Sequence, residues 1–400
     1  MIYIGLIIIF YSIFLFVLSS LIIVINKNVP KKSKENKKYC ILIPARNESR
    51  VIEDLLISIE NQTEKIDSKD VYIIVESKDD PTVEITKKHN MNIVFRKDLT
   101  KKRKGYALDD AVKEILKDNK KYTAYFILDA DNVLDKNFIK EMSSDIDKGY
   151  DISIGYRNTK NGNNLVSCAS ALSFYLLNTL DNERKCKYNN TLSISGTGFY
   201  IKGNIIESLG GFPFNSLTED YELTLYCTLN NLTTNYNSNA IFYDEQPEKF
   251  NMTITQRTRW VKGYFEARKK YLKEIKKNTK IKDINFSSKL ISIIGINPII
   301  YLVIGLVMLL IGIAIKYSFI NFVYSLLITV LSLYLIFVLI TFVLLKKEND
   351  KLNINVSKFK LILYNPIFLF SYTICFFKAI LTKNVEWKAI PHTKELKLEK

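Results

Sequence analysis

The sequence predicts an α/β domain built on a mostly parallel sheet and flanked by transmembrane helices. Two observations carry this. From Tyr39 to about Gly155 short apolar runs alternate with helically spaced segments, and such alternation builds a mostly parallel sheet with helices on both faces. On either side of this polar middle lie Ile2–Ile25, Leu290–Ile315 and Ser318–Leu345, none with a charged residue. Roughly 20 apolar residues cross the hydrocarbon layer, so each run is long enough to span it.

Taken in chain order, Ile2–Ile25 has no Lys or Arg before its apolar run and no small-residue cleavage site. It reads as a membrane span rather than a signal peptide. Six lysines follow between Lys27 and Lys38, which places the N-terminus outside and the next region in the cytosol. Tyr39–Ile43, Val71–Val75, Ile93–Phe95, Ala124–Leu128 and Ile152–Gly155 read as buried strands. Arg50–Ile59, Pro81–His89 and Tyr106–Leu116 show helical spacing, with Pro81 placed for a first turn. The stretch Asn164–Asn251 is mixed, and Gly210-Gly211-Phe212-Pro213 marks a sharp turn within it. Thr255–Lys277 is charged and aromatic, as suits an amphipathic helix among lipid headgroups.

Leu361–Phe377 is shorter, contains Asn365-Pro366, and has lysines on both flanks. A full crossing would leave one lysine cluster outside. The segment is therefore expected to be re-entrant or interfacial, broken near Pro366, which cannot donate a helical hydrogen bond. A cytosolic tail with Trp387 and His392 would then cover the Gln256–Trp260 region. The expected organisation is a membrane helix over 1–26, a cytosolic domain over 39–250 and interfacial helices over 251–289. Two membrane helices over 290–345 and the segment and tail over 346–400 complete a multi-pass plasma-membrane protein.

The net charge of +16 accompanies no zinc finger, helix-turn-helix or RNA-binding signature. Many lysines flank apolar runs, where they face anionic membrane lipids, so no nucleic-acid partner is expected. Cys40, Cys168, Cys186, Cys227 and Cys375 lack paired metal spacing and read as reduced, mostly buried thiols. With only His89 and His392, a His-rich zinc site is excluded. A catalytic metal must be held by carboxylates and substrate phosphates, which favours Mg²⁺ or Mn²⁺.

Several short motifs carry chemistry. Asp129 and Asp131 follow the apolar strand Tyr125–Leu128; residues two apart on an extended chain face one side, so both carboxylates can converge on a cation. Pro44–Glu48 and Glu76–Asp80 likewise follow strands, where ligands of such sheets bind. Ser195-Gly196-Thr197-Gly198 offers flexible backbone N–H donors and two hydroxyls. Thr218-Glu219-Asp220 is a helix start with acidic residues in its first turn. In Gln256-Arg257-Thr258-Arg259-Trp260 the guanidinium groups can hold a diphosphate and the indole can stack on an acceptor, or the run is an interfacial anchor. Within Lys101–Gly105, Lys104 is the member best placed to reach phosphate.

This ordered set resembles membrane-bound glycosyltransferase family 2, and is most similar to the cellulose, hyaluronan and poly-N-acetylglucosamine synthase branch, over about residues 39–265. The resemblance implies a GT-A fold and an inverting transfer of a hexose or N-acetylhexosamine from a nucleotide sugar, usually UDP-linked. It assigns donor binding to Pro44, Ala45, Arg46, Glu48, Glu76, Lys104 and Asp129, and the metal to Asp131 with Asp129. Asp220, beside Glu219, would be the general base. Ser195, Gly196, Thr197, Gly198, Gln256, Arg257, Arg259 and Trp260 would bind diphosphate and acceptor. Glu76-Ser77-Lys78-Asp79-Asp80 departs from the family's Asp-Asp-Gly-Ser form, which leaves uracil recognition open. The acceptor is a growing glycan or, as the alternative, a membrane lipid; a non-catalytic scaffold is the reading of another class.

Overall fold

The computed structural model describes residues 1–21, 29–32, 37–277, 298–347 and 351–383. The end of the first apolar run (22–25), residues 278–297 and the tail with Trp387 and His392 lie outside the described residues. After an N-terminal helix α1 (Ile2–Leu21), the chain alternates as the sequence predicts. It runs β1 (Tyr39–Pro44), α2 (Ile52–Glu60), β2 (Val71–Val75), α3 (Thr82–Lys88), β3 (Asn92–Phe95), α4 (Lys104–Lys117) and β4 (Ala124–Ile127). Then come β5 (Val133–Leu134), α5 (Phe138–Lys148), β6 (Ile152–Thr159), α6 (Leu165–Leu176) and α7 (Glu183–Lys187). The domain closes with β7 (Phe199–Lys202), α8 (Gly203–Leu209), α9 (Glu219–Leu229) and β8 (Thr234–Asp244).

Among the described residues these strands form one eight-stranded sheet in the order β3-β2-β1-β4-β7-β6-β8-β5. β1, β2, β3 and β4 are mutually parallel. The chain leaves β1 toward β3 on one side and returns to β4 on the other, so the order reverses between β1 and β4. Ligands of open α/β sheets bind beyond the strand ends at such a reversal. β7 is antiparallel to both β4 and β6, and β6 runs parallel to β8 with a register shift at Gly155/Tyr156. β6 and β8 stay paired as far as Thr159 and Asp244, past the level at which β4 ends.

Alternation along each strand supplies two cores. Ile41, Ile43 and Phe126 pack with α2 and α5 residues on one face, and Cys40, Leu42, Tyr125 and Ile127 with α4 residues on the other. All five cysteines are free thiols, four of them buried.

The C-terminal part holds α10 (Phe250–Lys277), α11 (Pro298–Lys316), α12 (Phe319–Lys347) and α13 (Lys358–Leu381). By length and composition α12 and α13 are long and apolar enough to cross a membrane. α1 packs along α11. The break expected near Pro366 is absent: α13 is one helix of 24 residues with Pro366 inside it. Tertiary packing offsets the lost hydrogen bond. Pro366 and Asn365 are buried, and the Asn365 amide donates to Thr341 Oγ1 of α12 at 2.9 Å. Phe368, two residues on, is gripped by Arg257 of α10, whose Nη1 donates to its carbonyl at 3.1 Å.

The segment linking α12 to α13 is fastened to the α/β domain at the end of β6 and just beyond it. Asn158 Nδ2 donates to the Lys351 carbonyl at 2.7 Å, Asn353 Nδ2 to the Thr159 carbonyl at 2.9 Å, and Asn355 N–H to the Gly162 carbonyl at 2.8 Å. Only glycine fits at 162, where a Cβ would lie 1.8 Å from the Asn353 carbonyl oxygen. Gly162→Ala should therefore release this segment at a cost of about 1–3 kcal/mol. Limited trypsinolysis is expected to cut faster at Lys351 in the variant than in the parent, with the thermal midpoint lowered.

Candidate active site

The strand ends at the β1/β4 reversal open into one cavity of about 480 Å³. Of the residues expected to bind donor, metal or acceptor, Pro44, Ala45, Arg46, Glu48, Glu76, Lys104, Asp129, Asp131, Ser195, Gly196, Glu219, Asp220, Gln256, Arg259 and Trp260 all line it. Pro44–Glu48 is held open from behind. Asp80 Oδ2 accepts from the Asn47 N–H at 3.0 Å, and Thr82 Oγ1 from the Glu48 N–H at 3.1 Å. Asp80 thus shapes the loop rather than facing the cavity. Arg46 and Glu76 form an ion pair at 3.0 Å on the wall they share.

Asp129 and Asp131 leave the end of β4, and Asp244 leaves the end of β8. One carboxylate oxygen from each lies within 4.8 Å of the others, close enough to hold a metal ion together. Asn132 fixes the trio: its Nδ2 donates to Asp244 Oδ1 at 2.9 Å, and its Oδ1 accepts from the Asp129 N–H at 3.0 Å. Thr197 closes the arrangement from below, donating to Asn132 and accepting from the Asp129 N–H at 2.8 Å.

Lys104, at the start of α4, donates to Asp129 and, at 2.7 Å, to the Gly196 carbonyl. Its ammonium also lies 4.0 Å from Glu219. Burial works against its charge, but Asp129, Glu219 and Asp220 outweigh that and its pKa is raised. Glu219 and Asp220 open α9, as their place in the sequence predicts. Burial pushes the Glu219 carboxyl up to about 7 against the pull of Lys104. Asp220 is raised as well, first by burial, with Lys104, Arg157 and Arg259 opposing. Gly196 adopts φ +79°, and a Cβ there would lie 3.3 Å from Asp220 Oδ2.

α10 brings Gln256, Arg259 and Trp260 to the far wall. Gln256 Oε1 and Arg259 Nε are buried with no hydrogen-bond partner among the described residues, an arrangement that costs free energy until a ligand supplies one. Burial lowers the Arg259 pKa, with Glu219, Asp220 and Asp129 opposing. Trp260 meets Phe174 of α6 edge to face at 5.9 Å.

Three expected site residues do not face the cavity. Arg257 lies between Arg259 and Gln256 in sequence, but the helical turn points it away. It is 1% exposed, donates to Thr253 and Phe368, and stacks on Phe368 and Tyr372 of α13. It fastens α10 to α13 and does not line the cavity. Thr197 is fully buried and acts through Asn132 and Asp129. Gly198 is buried, its N–H donated to the Ile127 carbonyl at 3.0 Å, so it completes the sheet edge under the site.

Asp244, Asn132, Arg157, Phe174 and Tyr264 were not singled out from the sequence. Asp244 carries a readable signal, since it ends the apolar Ile241-Phe242-Tyr243 just as Asp129 follows Tyr125–Leu128. Arg157 and Phe174 carry none; the fold alone brings them into the cavity.

Residues 37–263, more than half of the chain, match the family described as glycosyltransferase like family 2. The chain belongs to that family. A probable glycosyltransferase, YdaM, of Bacillus subtilis (strain 168) is 27% identical over 260 residues. That match covers 60% of this chain and 58% of the relative, so the chain matches a little over half the length of that curated protein. Among solved structures, the mannosyltransferase PcManGT from Pyrobaculum calidifontis, in complex with GDP-Man and Mn²⁺, aligns with a TM-score of 0.62 at 14% identity. It covers 96% of this chain and 99% of its own. At that identity the likeness speaks for the fold, which is of the GT-A type.

Folded Glu219 holds its proton more tightly than the unfolded chain does. The stability this gives is present at low pH and is lost as pH rises from 4.5 toward about 7. Glu219→Gln removes the penalty of a buried charge. With nucleotide and divalent cation withheld, the variant should melt about 2–4 °C above the parent at pH 8, the shift roughly 1 kcal/mol gives in a domain of this size. Differential scanning measurements should show that gap shrinking as pH is lowered toward 5.

Proposed function

We propose that this protein is an inverting glycosyltransferase that moves a hexose or N-acetylhexosamine from a UDP-sugar to a growing glycan at the cytosolic face of the plasma membrane. One observation carries the reading. The three-carboxylate cluster, the helix-start carboxylates Glu219 and Asp220, and the unpartnered groups of Gln256 and Arg259 face one cavity. A chain that needed only a scaffold would gain nothing from gathering these carboxylates and two unpartnered buried groups on one cavity.

The cluster fits a hard divalent cation, because its donors are carboxylate oxygens from separate strand ends. Asp131, Asp129 and Asp244 would hold Mg²⁺ or Mn²⁺, which when bound neutralises charge on the leaving diphosphate. The protein's own groups supply the rest. Lys104 and Arg259 offer cationic donors to the diphosphate, and their low-dielectric setting strengthens those bonds. Arg46, Glu48 and Glu76 line the nucleotide end of the cavity. Phe174, Trp260 and Tyr264 form an aromatic wall on which an acceptor sugar can rest. Asp220 takes the proton of the attacking hydroxyl as its oxygen bonds to the anomeric carbon and the bond to diphosphate breaks. A carboxylate so placed contributes roughly 10²–10⁴-fold.

The membrane setting is supported by α12 and α13, each long and apolar enough to cross a bilayer. It is supported as well by the basic face of α10, which ends in Lys276 and Lys277.

Asp220→Asn should cut turnover by about 100-fold or more while UDP binding persists. Asp131→Ala should instead abolish the dependence of UDP binding on Mn²⁺. Titrating UDP against both variants checks the division of roles, and equal loss of affinity in the two would overturn it. Sizing the product made from labelled UDP-sugar is expected to give a ladder or polymer; a single shifted lipid spot would show transfer to a lipid acceptor instead.

A further inference from the structure

Arg157 links three parts of the cavity: the carboxylate cluster, the Ser195–Gly198 turn and the aromatic ring of Phe174. Its Nε and Nη2 both donate to Asp244 Oδ2, at 3.0 and 2.7 Å. That oxygen also accepts from Gln246 Nε2 at 2.7 Å, while Oδ1 accepts from Asn132. Nη1 donates to the Ser195 carbonyl at 3.0 Å, in the turn whose next residue lies against Asp220. The guanidinium carbon lies over the Phe174 ring, 3.9 Å from its centroid, and Phe174 in turn meets Trp260. The backbone is held too: Asn178, in the π-helical turn that prolongs α6, donates to the Arg157 carbonyl at 3.2 Å.

We propose that Arg157 is a positioning residue that couples the carboxylate cluster to the acceptor wall. Both oxygens of Asp244 are engaged before any cation arrives. A cation drawing on Oδ2 must displace the guanidinium, and one held by Oδ1 still sits a few ångströms from that fixed positive charge, which it repels. The guanidinium then yields on Asp244 and re-seats on Phe174, whose contact with Trp260 passes the change to the acceptor side. The planar fork is required twice, for the paired bonds to one carboxylate oxygen and for stacking, so lysine cannot replace it. This coupling rests on the reading of the cavity as a metal-dependent donor site.

The test uses the full chain with Trp387→Phe, which leaves Trp260 as its single tryptophan. Mn²⁺ binding is followed by calorimetry, and Trp260 emission is followed as Mg²⁺, which is not paramagnetic, is added. In the parent, Mn²⁺ binds and Mg²⁺ shifts the emission. Arg157→Gln should bind Mn²⁺ roughly 5-fold or more tightly, because Asp244 is freed and an opposing charge is gone, and should lose the emission response. A merely structural role predicts the reverse, weaker Mn²⁺ binding, and that result overturns the proposal. Phe174→Leu leaves the Arg157–Asp244 pair in place. It should keep the parent's Mn²⁺ affinity yet lose the emission response; a retained response overturns the coupling even if Arg157→Gln fails to fold. Asp131→Ala serves as the control. If the parent binds no Mn²⁺, or Asp131→Ala binds it equally well, the cation reading itself falls and the coupling with it.

Discussion

Five of the carboxylates that line the cavity come from three separate elements, and the need to hold them together away from water constrains the rest of this structure. Asp129, Asp131 and Asp244 converge from strand ends, with Glu219 and Asp220 on the helix that faces them. Burial away from water raises the pKa of Glu219 and of Asp220, and the nearby charges of Asp220 and Asp129 add to the rise at Glu219. Among the cations that line the cavity, three face these carboxylates from three elements. Lys104 stands at the start of α4, Arg157 on β6 and Arg259 on α10. Two of them are held by more than their charge: Lys104 by the Gly196 carbonyl, Arg157 by the Ser195 carbonyl and the Phe174 ring. A site balanced in this way is poised for an anionic ligand carrying its own cation, because both signs of charge are already arrayed along its walls.

The same elements tie the cavity to the apolar helices. α10 presents Gln256, Arg259 and Trp260 on one side and Arg257 on the other, and Arg257 is buried with no carboxylate partner among the described residues, satisfied by carbonyl and hydroxyl oxygens and two aromatic faces. Such a residue is costly to bury unless its donors are met, so α10 and α13 are held in one relative position. A second fastening runs from the α12–α13 link to the end of β6, next to the chain that carries Arg157. Lys262 adds a third, donating to the Ala379 and Thr382 carbonyls at the end of α13. The aromatic wall of the cavity and the apolar helix α13 thus form one mechanical unit.

Much of the fold was legible in the sequence. The first strands and helices lie where apolar runs and helical spacing place them, because buried parallel strands read as continuous apolar stretches. The motif carboxylates fall at strand ends and helix starts for the same reason. What failed to read was position around a helix and pairing across distance. Arg257 was expected beside Arg259 in the site, but two residues on a helix differ by about 200° and face opposite ways. Pro366 was expected to break its segment, but burial against α10 and α12 keeps α13 intact.

By itself the sequence determined the α/β alternation, the apolar segments, and the acidic and basic groups available for chemistry, since these follow from local pattern and residue type. Only the tertiary structure decided which of those groups meet. The return of the chain to β4 beside β1 sets the cavity, and the shifted pairing of β6 with β8 brings Asp244 and Arg157 into it. Those contacts join residues 87 to 115 positions apart. No periodicity within a short window encodes a partner that far along the chain; the sheet's hydrogen-bonded register does.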